Sequence, residues 1–532
     1  MTNLSRSLIL GCSMLALAAC GPEEIASPGT GGNVTINEGD VITNNPAPTP
    51  TPTPTPTVSL VTPAAGCPTI SDPQGLADEG TITGPTGTYR VCALPARINS
   101  SSSLTAIRGL LYRLRGRVDV GTDGGPAPDA TDGVSDTNVV LTIAPGAIFY
   151  ASGSAFLNVN RGNRISAIGN ATTPIIFTSR DNILGLNNAN SSGQWGGIVL
   201  SGRAPLTDCI APGATPGTVS CERQVEGAVD PALFGGATVA DNSGRMSFVQ
   251  IRYSGFVLSG NSELQSLTTG GTGSATILDH IQSVNSSDDG VEFFGGRVNI
   301  KHLIVAGAED DGLDTDTGVK LNAQFVLVAQ RSGAGDTAIE ADSSNGLEDQ
   351  TPRSNAIIAN ATFIQRNNGD QVIRLRGGHD YTIVNSLVID QSASATTPCL
   401  RIDDDETIRA VNAGLDDVGP PVFNSMAFQC GVDTRNGSNG GATAAQADAI
   451  IAAGAGNNVS YTATLTGGYL GGTSETTYTP IFNATTLGAF FTATTYIGAV
   501  APSDNWTLGW TCDSAALTFG SNTGACTTVP TF

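Results

Sequence analysis

Between Leu264 and Asp403 the chain keeps returning to one short phrase: apolar, polar, apolar or small, then a polar residue in every quoted unit but the first, where it is Phe294. It reads Val291-Glu292-Phe293-Phe294, Leu313-Asp314-Thr315-Asp316, Ile339-Glu340-Ala341-Asp342, Ile373-Arg374-Leu375-Arg376 and Leu400-Arg401-Ile402-Asp403. Alternation of this kind is the period of a β-strand with one buried face. Counting an earlier unit from Leu264, the starts lie 27, 22, 26, 34 and 27 residues apart. Each unit adds a further apolar run and a turn at Gly or Asn, and no amphipathic helix intervenes, which excludes a βαβ sheet. A period in the twenties built of strands alone predicts an all-β solenoid, a single-stranded parallel β-helix whose coils stack at about 4.8 Å.

The same texture runs upstream through "NVVLTIAPGAIFYASGSAFLNVN" and "GQWGGIVLSGRA", so residues 58–430 are expected to form one solenoid. Residues 431–532 differ. Thr443–Ala453 is the one clear helical run, and "GAFFTATTYIGAV" and "NWTLGWTC" are expected to be strands that cap an open end of the solenoid.

The first residues set the address. Arg6 and the apolar run Leu8 to Leu17 read as a signal peptide over residues 1–19. Leu17-Ala18-Ala19-Cys20 resembles the lipobox of bacterial lipoproteins, which implies lipidation at Cys20, and Gly21 implies sorting to the outer membrane. Residues 20–57 end in alternating Thr-Pro, a polyproline tether. Its Pro46–Thr57 piece spans roughly 35–40 Å at about 3.1 Å per residue.

Composition changes the picture in two ways. Acidic residues number 47 against 25 basic ones, for a net charge of −22, which argues against nucleic acid as a partner. Beyond Cys12 and Cys20, eight cysteines remain, an even number that suggests disulfides in an exported chain. Eight cysteines allow 105 connectivities; pairing of sequence neighbours is expected, Cys67–Cys92, Cys209–Cys221, Cys399–Cys430 and Cys512–Cys526.

Stacking the units converts the phrase into directions. Val291, Phe293 and their counterparts face the core, while Glu292, Asp314, Glu340, Arg374 and Arg401 face outward. Beside them runs a second outward column, Phe294, Asp316, Asp342, Arg376 and Asp403, and Gln265 is expected one coil before Glu292. Carboxylates one coil apart repel by about 1 kcal/mol in water and several-fold more at an effective dielectric of about 20. Asp288, Asp289, Glu309, Asp310 and Asp311, in the turns before these strands, together with Asp314 make an oxygen set suited to Ca²⁺. A solvated acidic face with Asp-Gly turns is the plainer alternative. A polysaccharide lyase would use Arg374 or Arg401 as base beside such a cation; a glycosidase would need one carboxyl raised by an apolar niche. His280 and His302 are spaced to stack, a polar ladder more than a metal site, and Gly378-His379-Asp380 bears only a faint likeness to a polygalacturonase element.

At "GQWGGIVLSGRAP", "GVEFFGGRVNIKHLIVAGAEDDGLDTDTG" and "YIGAV…NWTLGWT" the chain resembles right-handed parallel β-helix surface lipoproteins of Gram-negative bacteria, related in fold to pectate lyases. Such proteins are often encoded beside TonB-dependent receptors. The resemblance implies an outer-membrane, cell-surface protein that binds a glycan or docks with a receptor. Polysaccharide cleavage and a structural or adhesive role are the alternatives. It carries over no catalytic residue.

Overall fold

The computed structural model describes residues 60–531, except 130, 132–135, 226–229, 260–261, 344–345, 368, 393 and 521–522. The expected signal peptide, the expected lipidation site Cys20 and the expected tether therefore lie outside the described residues.

Among those residues, eleven short strands form one parallel sheet in chain order, from Arg97–Ile98 to Val432–Thr434. A second sheet of seventeen strands supplies the remaining walls. One coil shows the plan. Val291–Phe294 lies in the first sheet, Arg297–Ala306 in the second, and Leu313–Asp316 pairs in register upon Val291–Phe294. The corner between the sheets is Gly295-Gly296, both left-handed (φ 59° and 79°). A Cβ on Gly296 would sit 2.2 Å from the Thr272 carbonyl oxygen, so only glycine fits.

The long strand also bends, and the bend falls on a non-glycine. His302 has φ 56°, and its in-register neighbours Phe248, His280, Phe325 and Asn360 are also left-handed. Such a residue costs on the order of 1–2 kcal/mol. Here the rings repay part of it by stacking, with centroids 4.1 Å apart for Phe248–His280 and His280–His302 and 5.0 Å for His302–Phe325. The expected histidine ladder is therefore present, lengthened by a phenylalanine at each end.

The inward column is buried as its alternation predicts: Val291, Phe293, Leu313, Ile339, Ala341, Ile373, Leu375, Leu400 and Ile402 are all at the core. Thr315 joins them with its hydroxyl 3.0 Å from that of Tyr381. Further up, Tyr112, Phe149, Phe177 and Trp195 stack ring upon ring. All four expected disulfides form.

Two expectations are corrected. Leu267, not Leu264, opposes Val291, so Thr268 precedes Glu292 in the outward column and Gln265 sits level with Asp289. The C-terminal region also contains no capping strands among its described residues beyond Val432–Thr434. The helix Ala444–Ala453 does form, with a capping box between Thr443 and Gln446, and buries Ala447 and Ile451 against the last coils. Beyond this helix the chain becomes a strap laid back along the flank of the coils. Asn385 clasps both main-chain groups of Phe482, Gln324 those of Thr492, and Gln282 those of Cys512. Val529 then packs beside Val61 and Tyr89 in the first coils. Aromatic residues in this stretch cover the apolar flank, with Trp506 and Trp510 against the Phe248–His302 stack, instead of pairing as strands.

Candidate functional site at the acidic corner

The turn before each first-sheet strand is where the carboxylates gather. Because Val291, Leu313, Ile339 and Ile373 are in register, the residues three positions earlier also stack: Asp288, Asp310, Asp336 and Asp370. One position on come Asp289, Asp311, Thr337 and Gln371. In this inner row each acid holds the next turn. The Asp289 carboxylate accepts the Asp311 N–H at 2.9 Å, and Asp311 accepts the Thr337 N–H at 2.7 Å and its hydroxyl at 2.6 Å.

Oxygen atoms meet in three overlapping groups, each within 4.8 Å: Asp288, Asp289 and Asp310; Asp289, Glu292 and Asp314; Asp310, Asp311 and Asp336. Five of the six expected cation ligands thus come together. Glu309 does not; its carboxylate turns aside to pair with Arg331 and accepts the Ser192 hydroxyl at 2.7 Å. Glu292 and Asp336 take part instead. Asp336 and Asp370 were legible in the repeat, since Gly335-Asp336 and Gly369-Asp370 precede Ile339 and Ile373 at the spacing of Asp288 before Val291.

Burial sets the electrostatics. Desolvation, and then neighbouring carboxylates, push Asp289, Asp311 and Asp314 well above the usual carboxylate range. The same causes take Asp310 up to about 6. Asp342 is raised to about 7 by burial, against the pull of Arg376. The corner therefore holds either protons or cations. All its ligating atoms are oxygens, the donor set of a hard cation. It abuts an open hollow of about 780 Å³ lined by Asp336, Asp370, Arg331 and Asn367.

The outward columns are less exposed than their alternation predicts. Glu292 is 7 % exposed, Asp314 9 %, Asp403 1 % and Phe294 2 %. Phe294 is covered by the excursion that the Cys209–Cys221 bridge closes, with Leu206 and Phe234 seated upon it. That excursion has no strand period, so nothing in the alternation announces that it folds back over the sheet.

Toward the C-terminal coils the acids meet arginines. Arg374 bridges Glu340 and Asp403, each at 3.0 Å. Arg376 reaches Asp342 at 2.7 Å and Glu340 at 3.2 Å, and Arg401 reaches Asp403 at 2.7 Å. Arg374 is engaged by two carboxylates and Arg401 by Asp403 and the Ser438 hydroxyl, which argues against either as a free lyase base. Asp316 and Asp342 complete the column, half-buried.

The other candidates recede. His280 and His302 stack with their planes 31° apart, and with Asp279 they bring ligand atoms within 4.8 Å of one another. Both rings turn Nδ1 toward Asp279 Oδ1, at 3.0 and 2.7 Å, and the acid already occupies the point on which they converge. His379 is fully buried, and Asp380 is taken by Arg353 at 3.0 Å, which leaves no open acid-base pair there.

No curated protein and no solved structure matches the chain. A family model described as a pectate-lyase like beta helix domain matches residues 132–511, from the upper coils through the acidic corner and most of the strap. With well over half of its 532 residues matched, the chain belongs to the pectate-lyase-like β-helix family.

Proposed function

We propose that this protein is a lipid-anchored outer-membrane β-helix that binds a glycan through a divalent cation held at its acidic corner. The observation that carries this reading is the convergence of Asp288, Asp289, Glu292, Asp310, Asp311, Asp314 and Asp336 beside an open hollow. Calcium would supply the charge these residues lack and offer coordination positions to sugar oxygens. The clamped state of Arg374 and Arg401 favours binding over cleavage. The Leu17–Cys20 motif and the polyproline tether support anchoring at a membrane with the β-helix held away from it.

Calorimetry on chelator-treated protein tests the cation: Ca²⁺ binds, and Asp310→Asn weakens it. Absence of any binding heat or thermal shift overturns it. A glycan array probed with and without Ca²⁺ tests the ligand. Release of unsaturated uronate that disappears with Arg374→Ala would show a lyase instead.

A further inference from the structure

A second hollow lies at another corner, where the long strands bend. It measures about 410 Å³, within the range of small-molecule sites, and is walled by Ile277, Leu278 and Phe490. Two opposite charges face into it. Asp279 and Lys301 are direct partners in the parallel sheet, side by side on adjacent coils. They do not pair with each other. Asp279 is drawn to His280 and His302 through Oδ1, and its Oδ2 accepts no hydrogen bond from a described residue. Burial works against the charge on Asp279, but His280 and His302, with Nδ1 atoms 3.0 and 2.7 Å away, hold it well below the usual carboxylate range, so it is ionised. Lys301 makes no ion pair among the described residues; its ammonium lies 5.0 Å from the centre of the Phe490 ring, on the strap.

A carboxylate and an ammonium in one mostly apolar hollow, one coil apart and with no ion pair between them, ask for a ligand carrying both charges. We infer that this hollow binds a small zwitterion, an α-amino acid with an apolar side chain. Its carboxylate meets Lys301, its ammonium meets Asp279 Oδ2, and its side chain rests on Ile277 and Phe490. A simple anion suits the site less well, because the Asp279 charge sits next to Lys301 and repels it. An uncharged sugar leaves both charges without a counter-charge in apolar surroundings. The site shares no residue with the acidic corner and stands or falls independently of glycan binding there.

The test uses unaltered protein and altered ligands first. Calorimetry with L-phenylalanine and L-leucine is compared with N-acetyl-leucine, which lacks the ammonium, and leucine amide, which lacks the carboxylate. The free amino acid binds, and each blocked form binds about tenfold or more weakly, the loss expected of one charge-assisted hydrogen bond. Lys301→Met, which keeps the aliphatic stem over Phe490, weakens the free amino acid about tenfold as well, with circular dichroism confirming the fold. Equal binding of free and N-acetylated leucine, no binding of any of the four, or full affinity in Lys301→Met each overturns the inference.

Discussion

Replacing Arg374 by methionine separates a structural clamp from a catalytic base. In the native protein Arg374 donates from Nε to Asp403 and from Nη1 to Glu340, both at 3.0 Å. Two charge-assisted bonds are worth roughly 1.5–3 kcal/mol each when fully desolvated. The Arg374 side chain is 23 % exposed and that of Glu340 14 %, which screens one bond, whereas that of Asp403 is 2 % exposed. Arg401 stays on Asp403 at 2.7 Å and Arg376 on Glu340 at 3.2 Å, so neither acid is left bare. The expected loss is about 2–3 kcal/mol, below the 3–5 of a buried pair broken outright. A double-mutant cycle with Asp403→Asn, read by urea denaturation, should return a coupling of about 1–2 kcal/mol. The pH dependence adds a second reading. Burial raises the Asp403 carboxyl, but hydrogen bonds from the Ser438 N–H, Arg401 and Arg374 outweigh it and hold it below the usual range. Its stabilisation is thus present above the unfolded value of about 3.9 and lost as pH falls through the lower folded value. The Arg374→Met deficit should be largest near neutrality and shrink in acid. A loss under about 0.5 kcal/mol with no coupling would refute the clamp.

Three further outcomes are expected. In chelator, the raised carboxyls at the corner (Asp310 near 6, Asp342 near 7) make the unfolded chain release protons first, so the denaturation midpoint falls as pH rises from about 4 to about 7; a flat profile contradicts the shifts. Phe177→Ala empties a fully buried position stacked on Phe149 at 4.5 Å and should cost about 3–5 kcal/mol by denaturant titration, with Phe177→Leu milder. Replacing Cys512 and Cys526 by serine opens a link between residues 14 apart, worth about 3 kcal/mol in the chain-entropy model, and should expose the strap to limited proteolysis near Trp510.

Much of this molecule was legible because a β-helix writes its geometry directly into spacing. Val291, Leu313, Ile339, Ile373 and Leu400 repeat with strand alternation, so the inward column and the carboxylate stack could be read from the chain. Sequence neighbours make sensible disulfides because one coil of 25 or 31 residues returns Cys67 to Cys92 and Cys399 to Cys430. The register error at Leu264 arose because "LQSL" offers two leucines three apart, and spacing alone cannot choose between them. The burial of Phe294 was illegible for another reason: the excursion carrying Leu206 and Phe234 has no period and meets the sheet only in three dimensions. Gln282, Gln324 and Asn385 look like ordinary outward polar residues, and nothing local says whose backbone they hold.

That strap changes how the solenoid must come apart. In a bare solenoid each coil touches only its neighbours, so stability is a sum along one dimension and ends can fray alone. Here the strap ties together coils far apart in sequence: Arg252 and Asn182 both hold the Cys526 carbonyl, at 2.9 and 3.1 Å, while Asn385 holds Phe482. Lifting the strap unfastens coils that are distant from one another at the same moment. A stack of independent rungs becomes a single cooperative unit.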